Sequence, residues 1–139
     1  MNDIIILRVM AKFFLPLIML FALYVQFHGD YGPGGGFQAG VIFAAAIVLY
    51  TLVFGLAAAR KSFSNPILLT LSAMGVLLYA GTGVAALLRG GNFLGYGFLD
   101  RAPVQGQHLG IILVELGVGL TVFAAMVTIF FAFVGKGRR

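Results

Sequence analysis

The sequence predicts an all-α integral membrane protein with four transmembrane helices and with both termini in the cytoplasm. The first observation is composition: 61% of the 139 residues are hydrophobic and 9% are charged, whereas a soluble domain carries about 25% charged residues. The second is that the apolar residues form four runs of about 20 residues or more, the length that a helix needs to cross a bilayer. The third is that these runs do not alternate in polarity, as the strands of a membrane β-barrel would.

The four predicted helices form a single membrane domain in contact with lipid. The second and third contain no charged residue, and the fourth contains one, Glu115. Asn65 followed by Pro66 is typical of a helix start. We expect the first run to be retained as a helix and not cleaved as a signal peptide, because no small-residue cleavage site follows it. The predicted helices cover residues 4–27, 37–59, 66–88 and 108–134.

Basic residues are divided unequally between the two ends of these helices. Seven lie at the end that holds both termini, and two lie at the other end. Because cytoplasmic segments are enriched in Lys and Arg, the seven are predicted to lie inside, and the loops around Asp30 and between Arg89 and Gln107 outside. The seven are Arg8, Lys12, Arg60, Lys61, Lys136, Arg138 and Arg139, and the two are Arg89 and Arg101.

Several classes of function are disfavoured by composition and spacing. The chain has no cysteine, which excludes disulfides, thiolate zinc sites and iron–sulfur clusters. His28, Asp30 and His108 have no metal-ligand spacing, so we predict no metal and no cofactor. The net charge of +5 lies at segment ends and does not predict binding to nucleic acid. No nucleophile–base arrangement or nucleotide motif is found, and we expect no enzymatic activity.

Glu115 is the strongest candidate for a functional residue. It lies seven residues into the predicted fourth helix, about 10 Å along its axis. A carboxylate at such a depth usually faces protein or a water-filled cavity and marks a path for ions or protons. The structural alternative is a protonated Glu that hydrogen-bonds a neighbouring helix. His108, two helical turns before Glu115, is a second candidate for the path.

Lys12 is the third candidate for the ion path. It lies near one face of the first helix together with Arg8 and Gln26. Its ammonium group could sit beside a buried carboxylate or a file of water. The alternative is that Lys12 extends to the cytoplasmic interface, as we expect for Arg8.

The segment between the first two helices is rich in glycine, at five of the eight positions 29–36. Glycine permits positive φ and close approach of another backbone, and the following helix N-terminus could hold an anion. No Gly-Lys-Ser/Thr follows, so the segment is not a nucleotide P-loop. We predict a rigid turn that docks a partner chain. The predicted docking residues are Asp30, Pro33, Gly34, Gly35, Gly36, Phe37 and Gln38.

Three segments resemble motifs of a known family, the MnhB/MrpB-like small membrane subunits of the Mrp-type multi-subunit Na+/H+ antiporters. They are residues 33–40, 92–96 and 115–122, and the resemblance extends over essentially the whole chain. The family carries an acidic residue at the position of Glu115. The chain departs from the family at Asp30, where many members have His, and at Ala39, where many have Gly.

The resemblance implies a small subunit of a large hetero-oligomer in the cytoplasmic membrane. Its partners would be the other antiporter subunits, and the complex would exchange cytoplasmic Na+ for external H+ in pH and salt homeostasis. Three alternatives remain open. The chain could be a structural scaffold in the same complex, a homologous subunit of a membrane-bound hydrogenase or complex I-like assembly, or a self-contained homodimeric exporter.

The scarcity of polar groups inside the spans also indicates a subunit. An ion route must cross about 30 Å of hydrocarbon. The spans offer Glu115, Lys12, Gln26 and a few Ser, Thr and Tyr residues. Partners or further copies of the chain are expected to supply the rest of the route.

Overall fold

A computed structural model describes residues 2–137 of the chain. Within this range the backbone is helical almost throughout and contains no β-strand. Four helices are long and apolar enough to cross a membrane, which confirms the predicted fold class. The helices are α1 (Asn2–His28), α2 (Gly36–Phe54), α3 (Leu56–Ser62), α4 (Asn65–Leu88) and α5 (Pro103–Lys136), with a 3₁₀ turn at Tyr96–Phe98.

The two ends of the bundle differ in what connects the helices. We call the end that carries residues 29–35 and 89–102 the loop end, and the opposite end the terminal end. The cytoplasmic location of both termini stays a prediction. Arg138 and Arg139, two of the basic residues on which it depends, lie outside the described residues.

Helix α5 is the centre of the bundle. It packs against α4 on one side and against α2 on the other, and α1 packs mainly on α2. Leu68, Val127 and Phe131 are fully buried in an apolar cluster that α2, α3, α4 and α5 share. Most of α1 is exposed, as expected of an apolar helix whose solvent is lipid.

Glycine allows α4 and α5 to cross at short range. A Cβ atom added to Gly75 would lie 2.6 Å from the carbonyl oxygen of Gly117, and one added to Gly117 would lie 2.8 Å from that of Gly75. Close backbone contact through small residues is the usual means by which helices associate in lipid. This crossing fixes the position of α5 close to Glu115.

The second predicted helix, 37–59, is divided in the structure. Helix α2 ends at Phe54, and Gly55 adopts φ 95° and ψ 157° before α3 begins at Leu56. This backbone conformation is almost restricted to glycine, so the chain changes direction there. The break turns α3 across the terminal end, where the Arg60 guanidinium approaches Gly135.

Replacing Gly55 by Ala is expected to destabilise the protein through backbone strain alone. No atom lies within 4 Å of a Cβ added at this position, so the cost is that of the conformation, about 1–3 kcal/mol. The measurement is the thermal unfolding midpoint in detergent. The control is Gly81→Ala, where a Cβ also meets open space but the backbone is helical. Equal midpoints for the two variants would contradict the assigned conformation of Gly55.

Helix α5 starts at Pro103, five residues before the predicted start at His108. Pro is favoured at the first helical position because it has no N–H group that would need an acceptor. The helix therefore includes residues 103–107, which resemble a loop in the sequence. Tyr96 packs against this added stretch at Gly106 and against Gly110 just beyond it. Since α5 begins twelve residues before Glu115, it extends about 18 Å beyond that residue.

Helices α1 and α2 are displaced along α5 relative to α4. Gly36, the first residue of α2, lies against the backbone of Glu115, whereas Tyr79 of α4 lies beside Gly117. From Tyr79, α4 continues for nine residues to Leu88, about 13 Å. The surface at the loop end is therefore stepped, with the segment between α1 and α2 on the lower level.

Candidate functional site

The structure brings most of the predicted site residues together at the loop end and separates Lys12 from them. Lys12 is exposed, and its Nζ atom lies 5.9 Å from the centroid of the Phe54 ring, near the terminal end. Gln26, which reaches α5 at Gly119, is fourteen residues further along α1, about 20 Å. Lys12 and Glu115 therefore lie at opposite ends of the bundle.

The segment 29–36, here called the glycine loop, lies directly on Glu115. A Cβ atom added to Gly29 would lie 2.8 Å from Glu115 Oε1, and one added to Gly35 would lie 3.3 Å from it. A Cβ on Gly36 would overlap the backbone carbonyl of Glu115. Side chains at Gly29 and Gly36 would collide with backbone, of Gly35 and of Glu115 respectively, so glycine allows the loop to lie this close to Glu115.

Backbone hydrogen bonds hold the glycine loop on the last turn of α1. The amides of Tyr31 and Gly32 donate to the carbonyl of His28 at 2.9 and 3.1 Å, and the amide of Gly35 donates to that of Val25 at 3.3 Å. Gly35 has φ 128°, a value that L side chains rarely adopt. The conformation of the loop is thus set by the chain itself, and with it the cover over Glu115.

The glycine loop has a second side that the described chain leaves open. Pro33, Phe37 and Gln38 are exposed, with Phe37 at 60%, while Gly34 is half-buried. Docking of a partner through these residues stays a prediction. The structure adds that the same loop contacts α5 of its own chain on its inner side.

Glu115 is half-buried beneath this loop. Asp30, the residue that follows Gly29, provides a second carboxylate at the same end of the bundle. The one ion pair within the described residues joins His108 to Asp30 and not to Glu115. Glu115 thus has no ion-pair partner among the described residues.

His108 and Asp30 are in direct contact above Glu115. His108 Nδ1 and Asp30 Oδ2 form a hydrogen bond, and the two side chains are 48% and 6% exposed. The ring of Tyr31 lies 6.2 Å from that of His108. The pair links an imidazole at the surface to a buried carboxylate beside the glycine loop.

Gln26 joins the site although it is not among the predicted path residues. Its side chain is 7% exposed, and a Cβ on Gly119 would lie 2.7 Å from its Oε1 atom. Gln26 borders an otherwise apolar cavity of about 310 Å³ between α1, α2 and α5. The signal in the sequence is an amide within an apolar helix, which does not reveal which neighbour it meets.

Three threonines elsewhere in the spans are bonded within their own helices. Thr51, Thr82 and Thr128 each donate to the carbonyl four residues earlier, at 2.7, 2.8 and 2.7 Å, a common arrangement for Thr in helices. No three His, Asp or Glu side chains converge on a possible metal position in the part of the chain that the structure describes.

A family model and the curated relatives agree on the family to which the chain is similar. The family model described as "Domain related to MnhB subunit of Na+/H+ antiporter" matches residues 6–128. A protein of Staphylococcus haemolyticus (strain JCSC1435), named "Putative antiporter subunit mnhB2", is 34% identical over 141 residues, with 96% of each chain covered. The protein of the same name from Staphylococcus aureus (strain Newman) is 32% identical over 137 residues, again with 96% of each covered. The chain belongs to the family of domains related to the MnhB subunit of Na+/H+ antiporters.

Proposed function

We propose that the chain is the MnhB-type membrane subunit of a multi-subunit Na+/H+ antiporter and that Glu115 binds the transported proton or Na+. The family model and the relatives named as antiporter subunits support the first part. They favour an antiporter over a hydrogenase-type complex. The observation that carries the second part is the cover of glycine backbone over Glu115. In the complete complex, cytoplasmic Na+ is exchanged for external H+.

The surroundings of Glu115 support the proposed ion-binding role. The glycine loop shields one side of the carboxylate, and Asp30 follows directly after Gly29 of that loop. The amide of Gln26 lies about one turn further along α5, at Gly119. Since Glu115 has no ion-pair partner among the described residues, its carboxylate is available to a proton or a cation. A carboxylate that exchanges one for the other is the chemical requirement of cation–proton antiport.

The distribution of polar groups supports the role of a subunit. The cavity beside Gln26 is lined by apolar residues, and Lys12 lies about 20 Å away along α1. An ion that reaches Glu115 therefore has no continuous polar route to the terminal end within the described part of this chain. Helix α1, whose surface is largely exposed, is available for contact with other subunits.

The purified chain alone, reconstituted in liposomes, is expected to show no Na+-driven proton movement, because it lacks a route across the hydrocarbon. The complete complex in matched liposomes is expected to show such movement, and cells from which the chain is deleted are expected to lose salt tolerance. The readout is fluorescence of a trapped pH dye after a Na+ pulse. Exchange by the chain alone would instead identify a self-contained exporter.

A structural scaffold is the second candidate, and the direct packing of Gly36 on the Glu115 backbone favours it. In that case the position of Glu115 matters and its charge does not. The isosteric substitution Glu115→Gln separates the two functions, with exchange measured in everted vesicles at matched levels of assembled complex. Unchanged exchange would leave the scaffold as the function of this chain.

A further inference from the structure

We propose that His108 and Asp30 form the proton entrance to Glu115, passing protons between the aqueous surface at the loop end and the covered carboxylate. The proposal rests on the proposed role of Glu115 in ion binding. It gives Asp30 a function different from partner docking. It also gives the surface imidazole a defined place in the path.

On the side of the loop end, the backbone of the glycine loop covers Glu115. The positions of Gly29, Gly35 and Gly36 leave no space for side chains between the loop and α5. Peptide groups do not relay protons at a useful rate, since proton transfer requires titratable side chains or water in hydrogen-bond reach. A proton that comes from the loop end therefore passes beside the loop, where the His108–Asp30 contact lies.

The pair has the graded exposure that an entrance requires. The side chain of His108 is 48% exposed and that of Asp30 is 6% exposed. Asp30 directly follows Gly29, whose added Cβ would lie 2.8 Å from Glu115 Oε1. The backbone of Asp30 thereby lies next to the glycine that covers Glu115, while its side chain contacts His108. From water inward, the order of the groups is the imidazole of His108, the buried carboxylate of Asp30 and the covered carboxylate of Glu115.

The proton moves from water to Glu115 by successive transfers through His108 and Asp30. Water gives a proton to Nε2 of His108, and the proton on Nδ1 passes to Oδ2 of Asp30. Asp30, now a carboxylic acid, passes its proton to the ionised Glu115 through a water molecule in hydrogen-bond reach of both carboxyl groups. The imidazole is left neutral with its proton on Nε2 and resets when the ring turns over. Imidazole suits the outer position because it exchanges protons readily near neutral pH.

Other titratable groups on α1 and the glycine loop do not replace the pair. His28 stacks on Tyr24, with ring centroids 5.3 Å apart, and faces Gly32. Tyr31 is 79% exposed, and a phenol is a poor proton carrier near neutral pH. The first turns of α2 contain no titratable residue. Among the described residues of these elements, Asp30 is the acid next to Glu115.

The segment on the α4 side contributes no competing acid or base. Burial raises the pKa of Tyr96, with a smaller contribution from Tyr79, so Tyr96 stays neutral. The guanidinium of Arg89 donates to the carbonyl of Leu99 and so holds the loop that follows α4. The other charged residues of this loop are the exposed Asp100 and Arg101.

The test uses everted vesicles that contain the whole complex, with Na+-driven proton movement as the readout. His108→Ala and Asp30→Asn are each expected to slow exchange by about tenfold or more, since a positioned proton-transfer group contributes at least that much. His108→Gln, which keeps a hydrogen-bond donor for Asp30 but cannot titrate, is expected to be as slow as His108→Ala. The matched control His28→Ala is expected to exchange at the wild-type rate.

Free histidine provides a second readout that a structural role would not affect. This zwitterion crosses lipid slowly, so it can be trapped in the vesicle lumen or added outside. Free histidine in the lumen, the side that the loop end is predicted to face, is expected to restore exchange to His108→Ala. It is not expected to restore exchange to Asp30→Asn. Wild-type exchange by His108→Gln, or failure of histidine on both sides, would overturn the entrance. Glu115→Gln is measured in parallel. If this variant exchanges normally, the proposed function itself fails. If Glu115→Gln loses exchange while His108→Ala exchanges normally, only the proton entrance is refuted.

Discussion

Vesicles that carry Glu115→Gln are expected to lose Na+-dependent proton movement by about two orders of magnitude or more, the contribution typical of a positioned proton-transfer group. Gln keeps the shape of the side chain, so the packing of Gly36 on the backbone of residue 115 is retained. The amide cannot alternate between a protonated and an anionic form. The change therefore removes ion exchange and leaves the cover of the glycine loop in place.

The matched variants make this result specific. Glu115→Asp keeps the charge on a shorter side chain and is expected to retain part of the activity. Gln26→Leu removes an amide that is 7% exposed without changing any charge, and is expected to have a smaller effect than Glu115→Gln. Each complex is purified and its subunit content compared before the rates are measured. Full exchange by Glu115→Gln in an intact complex would refute the ion-binding role.

The complex is expected to be lost or strongly depleted when Gly36 is replaced by Val. A Cβ at this position overlaps the backbone carbonyl of Glu115, and a backbone atom cannot move aside as the end of a side chain can. Overpacking of a close contact costs about 1–3 kcal/mol and sometimes more, and we expect the upper end here. Helix α2 would have to move away from α5, which also displaces α1, since α1 packs on α2.

The amount of assembled complex in membranes and its unfolding midpoint in detergent measure this effect. Gly81→Val is the matched control, because it adds the same side chain to a helical glycine with no atom within 4 Å. Gly36→Ala is expected to fall between the two. If Gly36→Val assembles and unfolds like Gly81→Val, then α2 does not begin on the backbone of Glu115.

The membrane architecture follows from local composition, and this is why it can be predicted. A run of about 20 apolar residues specifies a membrane helix without reference to the rest of the chain, and four such helices are found. The family resemblance is likewise confirmed by the matched family model. The break at Gly55 escapes prediction because glycine is frequent in membrane helices, and its φ of 95° is not visible in composition.

The arrangement of the site depends on contacts between distant parts of the sequence. Glycine in residues 29–36 predicts a close backbone approach, but nothing local names Glu115, about eighty residues later, as the group approached. The contact of His108 with Asp30 is equally hidden. The hydrophobic pattern places His108 at the first position of a helix. In the structure α5 begins at Pro103, so His108 lies inside the helix. Only the packing of α2 on α5 sets these distances.

The stepped loop end has a consequence for the surrounding bilayer. Helix α4 continues about 13 Å past the level at which α2 begins, yet both halves must match a hydrocarbon layer about 30 Å thick. A flat bilayer cannot be centred on both, so lipid beside α1 and α2 must thin, the bundle must tilt, or a neighbouring subunit must fill the difference. Thinning would bring the lipid–water boundary down towards Glu115. Hydrophobic mismatch would then shorten the distance that an ion travels through low dielectric before it reaches the carboxylate.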